Sequence, residues 1–232
     1  MKTIFLSQIN PQKQMPFEQE LFEEANISGE IILLLYSWNA AVISTGKLQK
    51  KLNIDHEKLL RDNIKIVERI TGGRAVFHEN DLCYSICIPR ILMNKVGGNL
   101  QEAIVTISSP IIKTFADFGI CAVCRSHKNS VLHTDFCAQT HSYGEISVGG
   151  KKIAASSQIF SADGILQHGT IPVTDDYLKI CDYFSGGNES AKNNLRENST
   201  CLREVCEDLD IADFLRKFAD NFKSLLIPPT AS

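Results

Sequence analysis

The stretch Arg69-Ile70-Thr71-Gly72-Gly73-Arg74-Ala75-Val76-Phe77-His78 sets two glycines and a basic residue between two strand-like segments. Residues 64–69 read as a strand that ends in Thr71-Gly72-Gly73, and residues 83–88 read as another. A glycine pair at such a junction lets backbone N–H groups come close to a ligand, and the arginines offer charge to a carboxylate, phosphate or carbonyl. A plain hairpin loop with solvated arginines has the same composition. The segments on either side therefore have to say what the loop belongs to.

Toward the N-terminus, residues 30–38 and 41–45 read as strands joined by a turn. Residues 16–28 carry Phe17, Leu21, Phe22 and Ala25 as a helical stripe with Pro16 at its start. Toward the C-terminus, Leu100, Ile104, Ile107, Ile111 and Phe115 recur at spacings of three and four, one buried face of a helix that Pro110 is expected to kink. Beyond it, residues 119–124, 144–148, 152–160 and 164–173 form short strands parted by Gly149-Gly150 and Asp163-Gly164 turns, the pattern of a meander. Residues 175–184 open on acidic residues suited to capping a helix, and residues 185–199 are polar and rich in Gly and Asn, as in a loop or linker. Ile211, Phe214, Leu215, Phe218, Phe222 and Leu225 form a last helical face before Pro228-Pro229. The expected fold is α+β, with mixed and antiparallel sheets flanked by helices. Residues 1–190 make the main domain and residues 191–232 a C-terminal helical cap of the same domain.

The bulk composition fits one globular domain with a sizeable core. The chain has 232 residues, 44% of them hydrophobic and 22% charged. Lys+Arg 24 against Asp+Glu 27 leaves a net charge of -3, with no basic run, so nucleic acid is not an expected partner. The apolar run at 31–36 is far shorter than the roughly 20 residues a membrane span needs, and the N-terminal segment soon turns polar. Neither a membrane nor export is expected. The eight cysteines are read as thiols of a cytoplasmic protein, where one can persist as a nucleophile.

Two further segments carry candidate chemistry. Cys137 precedes a strand-like run and Lys152 follows in the next one, a nucleophile with a cationic neighbour that favours its thiolate; a packed cysteine and a surface lysine read the same way. His168-Gly169 sits inside an apolar strand, either as a pocket wall where glycine admits a ligand or as a structural histidine. The pair Cys121 and Cys124 has no second ligand pair at a usual spacing, so it is read as strand packing and no metal is expected. Neither a GxxxxGK[ST] phosphate loop nor an HExxH helix is present.

Taken in order, these segments resemble the family of lipoate-protein ligases, octanoyltransferases and biotin-protein ligases, most closely the octanoyltransferase branch with a central cysteine. Tyr36-Ser37-Trp38 with Gly46 and Gln49 is similar to its YxW…GxxQ element. Arg69 through His78 resembles RRxTGGRAVxH, with Glu68 in place of the first arginine, and Asp81 through Ser85 is similar to ELTYS. Cys137 lies eight residues before Glu145, as in C-F-x-x-P-S-x-x-E, with Ala138 for the aromatic and His141 for the proline. Lys152 takes the lysine of GxKxxGSAQ, with Ala155 for its glycine. Gln167-His168-Gly169-Thr170 resembles LQHGS, and residues 198–205 are similar to a TSLREV element.

The resemblance implies a lipoate-ligase-type catalytic domain over 1–190. It implies transfer of an octanoyl or lipoyl group from a thioester on acyl carrier protein or glycine-cleavage H protein, through acyl-Cys137, to a lysine of a lipoyl domain, with no cofactor. Lys152 would bond the carbonyl oxygen. Arg69, Gly72, Gly73, Arg74, His78, His168 and Gly169 would bind substrate, and Val76, Ile153 and Leu166 would line an acyl tunnel. The same fold also implies an alternative, an ATP- and magnesium-dependent lipoate-protein ligase in which Cys137 is incidental. An alternative of another class is a non-catalytic module that binds an acyl group or its carrier.

Overall fold

The computed structural model describes residues 1–50, 52–124 and 144–226. Cys137, Ala138, His141, Pro228 and Pro229 lie outside them.

The large sheet has seven strands: β1 (Lys2–Ile9), β2 (Ile32–Trp38), β6 (Asp81–Pro89), β7 (Ala122–Cys124), β8 (Ile146–Val148), β9 (Lys151–Ser161) and β10 (Gly164–Pro172). Their order is β1-β2-β6-β10-β9-β8-β7. The β1–β2 pair is parallel and every other neighbour antiparallel, so β7 to β10 form the expected meander. A small sheet, ordered β4-β3-β5, is built from β3 (Val42–Gly46), β4 (Lys65–Arg69) and β5 (Val76–His78). The strands expected over 30–38 and 41–45 are present but belong to different sheets: the chain leaves the large sheet after Trp38 and enters the small one at Val42. Strand β1 escaped the sequence reading because its burial follows no strict alternation.

One face of the large sheet packs on α3 (Leu100–Asp117) and α6 (Ile211–Lys223), where Phe115, Phe214, Phe218 and Phe222 are buried. Each such side chain contributes about 1.5–3 kcal/mol. Pro110 lies inside α3, and the buried Thr114 hydroxyl donates to the Pro110 carbonyl one turn back at 2.8 Å. The other face packs on α1 (Pro11–Ser28), with Leu21 and Ala25 against Ile32, Leu34 and Leu166. This helix starts a turn earlier than its apolar stripe, because Pro11 takes the first helical position behind an Asn10 cap and Pro16 is interior. Its buried stripe is Gln14, Glu18, Leu21 and Ala25, which includes two polar residues. A short α2 (His56–Arg61) precedes β4 and buries Leu59 beneath the small sheet.

Residues 185–199 are not a linker. Asn188 caps α4 (Glu189–Asn198) by accepting from the Ala191 N–H at 2.9 Å, and Leu195 anchors the helix fully buried. With one apolar anchor on a polar helix, periodicity had little to register. Residues 175–182 wind as a 3-10 helix, and Leu202–Val205 forms α5. The C-terminal elements contact the rest of the chain directly: the Thr200 N–H donates to the Lys152 carbonyl at 2.8 Å, and Lys113 Nζ on α3 donates to Asn221 on α6 at 2.6 Å.

Candidate active site

The glycine loop sits where the small sheet meets the large one, and Arg69 builds it from inside. This guanidinium is buried, donating to Ser44 Oγ at 2.6 Å, the Arg74 carbonyl at 2.8 Å and the Gly72 carbonyl at 3.3 Å. The Ser157 hydroxyl donates to the Gly72 carbonyl at 3.0 Å, tying the loop to β9. Gly73 has φ +95, a backbone suited to glycine. A Cβ at Gly46 would fall 2.1 Å from the Gly73 carbonyl oxygen, so glycine is required there by close approach. The Gly46→Ala variant is expected to lose about 1–3 kcal/mol in chemical denaturation, as overpacking does. A wild-type midpoint and slope would show that the loop yields freely.

Two carboxylate–imidazole–hydroxyl chains stand beside this loop. Glu18 Oε2 lies 2.9 Å from His168 Nδ1, and His168 Nε2 lies 2.7 Å from Thr71 Oγ1, all buried. Asp81 Oδ2 lies 2.6 Å from His78 Nδ1, and His78 Nε2 lies 2.6 Å from Ser44 Oγ. In one consistent proton arrangement Arg69 donates to Ser44, Ser44 to His78 Nε2, and His78 Nδ1 to the Asp81 carboxylate. Asp81 also accepts from Thr170 at 2.5 Å and from Cys83 Sγ at 3.4 Å. His78, Asp81 and Cys83 have the ligand types of a metal cluster. Two ligands of one tetrahedral zinc sit roughly 3.3 Å apart, so the 2.6 Å His78–Asp81 approach fits a hydrogen bond instead.

A cavity opens between these groups, walled by Tyr36, Trp38, Gly73, Arg74, Val76 and His168, with Met15 of α1 and Gly169 of β10 also on it. Gly169 is required by packing: a Cβ there would fall 2.6 Å from both the Ala155 carbonyl and the Tyr84 ring. Trp38 packs on the Tyr36 ring at 5.4 Å and on the His78 ring at 5.1 Å. The surface offered is mainly apolar despite the polar residues behind it, because those are turned onto one another.

Lys152 lines a second cavity, with Ile153, Phe77, Tyr177, Ile180 and Thr200 among its walls. Its Nζ lies 2.6 Å from Glu145 Oε1, both side chains almost fully buried. A bulge follows it in β9: Ser147 pairs with Lys152 but Ile146 pairs with Ala154, leaving Ile153 as the extra residue. Such an insertion turns the following side chain to a new face. A buried cation at a cavity wall can bind a carbonyl oxygen as charge develops on it.

The candidate residues therefore fall into groups. Gly73, Arg74, His78, His168 and Gly169 wall the first cavity; Arg69 also reaches it but chiefly holds the loop; Gly72 contributes its carbonyl to that scaffold. Lys152 stands at the second cavity, and Cys137 lies outside the described residues. Of the expected tunnel residues, Val76 walls both cavities and Ile153 the second, whereas Leu166 is fully buried under α1 and belongs to the core. Cys124 lies half-buried in β7, and Cys121 is exposed beside it. Glu18, Ser44, Thr71, Asp81 and Ser157 were not among the expected site residues. Glu18 had a signal, a carboxylate on the stripe of Gln14, Leu21 and Ala25.

The cysteines with perturbed titration are not activated. Burial pushes the Cys83 thiol well up and the neighbouring Asp81 charge adds to this, while burial raises Cys87, Cys124 and Cys201 and takes Cys181 to about 11. A thiol so raised is a poor nucleophile at neutral pH. Among the described residues no helix is long and apolar enough to cross a membrane.

The chain is similar to known proteins in sequence and in fold. The lipoyl protein ligase A/B catalytic domain matches residues 10–223. An octanoyltransferase LipM of Exiguobacterium sp. is 32% identical over 218 residues, covering 85% of this chain and 76% of its own. The octanoyltransferase LipM of Staphylococcus epidermidis is 32% identical over 206 residues, covering 82% and 74%. Among solved structures, a bi-partite lipoate protein ligase from Thermoplasma acidophilum, studied with its E2 lipoyl domain, superposes with a TM-score of 0.75 at 15% identity over 97% of this chain and 84% of that one. A lipoate-protein ligase A bound with ATP superposes equally well, at 0.75 and 16% identity over 97% and 86%. With its mixed sheets, its glycine loop and a sequence match that runs through nearly all of it, the chain belongs to the lipoyl protein ligase A/B catalytic domain family.

Proposed function

We propose that this protein is an octanoyltransferase of protein lipoylation, moving an octanoyl group from a carrier-protein thioester through Cys137 to a lysine of a lipoyl domain. The observation that carries the reading is the run of octanoyltransferase relatives at about a third identity across most of the chain, joined to a mainly apolar cavity beside the Lys152 cavity. The acyl chain lies in the cavity walled by Trp38 and Val76, and its carbonyl reaches the Lys152 cavity. Cys137 attacks that carbonyl, forming the acyl-sulfur bond as the carrier thiol leaves. The acceptor amine then attacks the same carbon and frees the Cys137 thiol. Lys152 donates to the oxygen that gathers charge in both steps.

The acyl group arrives already activated, and exchange between thiols is nearly isoenergetic, so the reaction uses no nucleotide and no metal. Acyl carrier protein or glycine-cleavage H protein serves as donor and an apo lipoyl domain as acceptor, in the cytoplasm. The test pairs the protein with an apo lipoyl domain and either octanoyl-carrier protein alone or free octanoate with ATP and magnesium. Modification of the domain is expected only from the thioester. Strict dependence on ATP and free acid, with no use of the thioester, would make the protein a ligase.

A further inference from the structure

The two cavities share three walls: Val76, Ala155 and Thr170. Val76 belongs to β5 of the small sheet, whereas Ala155 and Thr170 face each other in register on β9 and β10 of the large sheet. The two cavities therefore adjoin between the two sheets, and any passage from one to the other runs there. Two of its walls are stiff. Thr170 is held by its 2.5 Å hydrogen bond to Asp81, and Val76 is branched at Cβ with few rotamers open to it. The third wall is a single methyl group, and Ala155 stands where the motif its segment resembles carries glycine.

We propose that Ala155 is a specificity-determining residue, its methyl narrowing the passage between the Trp38 cavity and the Lys152 cavity so that an unbranched acyl chain passes and one branched near its carboxyl end does not. This rests on the reading of the two cavities as an acyl site. The chain's carbonyl end lies on the Lys152 side, the side with a buried cation, so its first methylenes occupy the passage and its tail the Trp38 cavity. A branch on those methylenes meets the Ala155 methyl. One carbon too many in a close-fitting apolar site costs roughly tenfold to two hundredfold in discrimination.

The chain's sole tryptophan, Trp38, walls the tail cavity, so its fluorescence reports occupancy without any transfer step. The probes are octanamide and its isomer 2-propylpentanamide, which have the same carbon count and differ only in branching. Wild-type protein is expected to bind the linear amide and discriminate against the branched one. Ala155→Gly is expected to raise the branched-to-linear affinity ratio at least about tenfold, and Ala155→Val to weaken octanamide itself. Val76→Ala serves as the control for the opposite wall, with circular dichroism confirming that each variant folds. A ratio unmoved by Ala155→Gly, or one moved by Val76→Ala alone, overturns the proposal, as does failure of every variant to bind either amide. Octanoyl transfer is measured alongside. Intact transfer with an unmoved ratio defeats the specificity role alone, and a shifted ratio without transfer sustains it while defeating the transferase reading.

Discussion

Replacing Cys137 by alanine or serine is expected to reduce octanoyl transfer to the lipoyl domain by at least about a thousandfold, the scale seen when a covalent nucleophile is removed. In the proposed route the thiol lets the reaction divide into two exchanges, each with a good leaving group. An oxyester on serine would leave the second step with a poorer one. No described cysteine with a perturbed titration can substitute, because burial holds Cys83, Cys87, Cys124, Cys181 and Cys201 as thiols. The assay is transfer from octanoyl-carrier protein, with the thermal midpoint of each variant measured beside it. Near-normal transfer by Cys137→Ala would place the chemistry elsewhere and favour a ligase.

Lys152→Ala is expected to cost at least about a hundredfold in rate, the usual loss when one preorganised donor to a developing oxyanion is removed. The same change strips Glu145 of the ammonium 2.6 Å away and leaves a buried carboxylate, which costs about 3–5 kcal/mol of stability. These two effects separate in a double variant. Lys152→Met with Glu145→Leu replaces the buried pair by apolar groups, and such replacements are commonly neutral or stabilising. Stability is expected to recover and activity to stay lost. Recovery of both in steady-state kinetics would reduce Lys152 to half of a structural ion pair.

Part of the large sheet was legible in the sequence because turns that carry glycine part β8 from β9 and β9 from β10. Residues 69–78 gave the loop for the same reason: two adjacent glycines are scarce inside regular structure. What hid was whatever depends on partners distant in sequence. Arg69 read as a residue facing a ligand, yet its partners Ser44 and the Arg74 carbonyl turn it inward. Glu18 lies 150 residues from His168, and only the docking of α1 on the large sheet brings them within 2.9 Å. Helix α4 was missed because its stability rests on an Asn188 cap and a single buried leucine, too little apolar surface to produce a period. The bulge at Ile153, next to Lys152, likewise leaves no mark in composition.

The covalent route through Cys137 is tested most directly by intact mass after mixing the protein with octanoyl-carrier protein and no acceptor. By this route the protein is expected to gain the mass of one octanoyl group, Cys137→Ala to gain none, and an apo lipoyl domain to return the enzyme to its original mass as the domain becomes octanoylated. Octanoylation of the domain in a single turnover with no acyl-enzyme at any time, or an adduct of equal yield on Cys137→Ala, would contradict it.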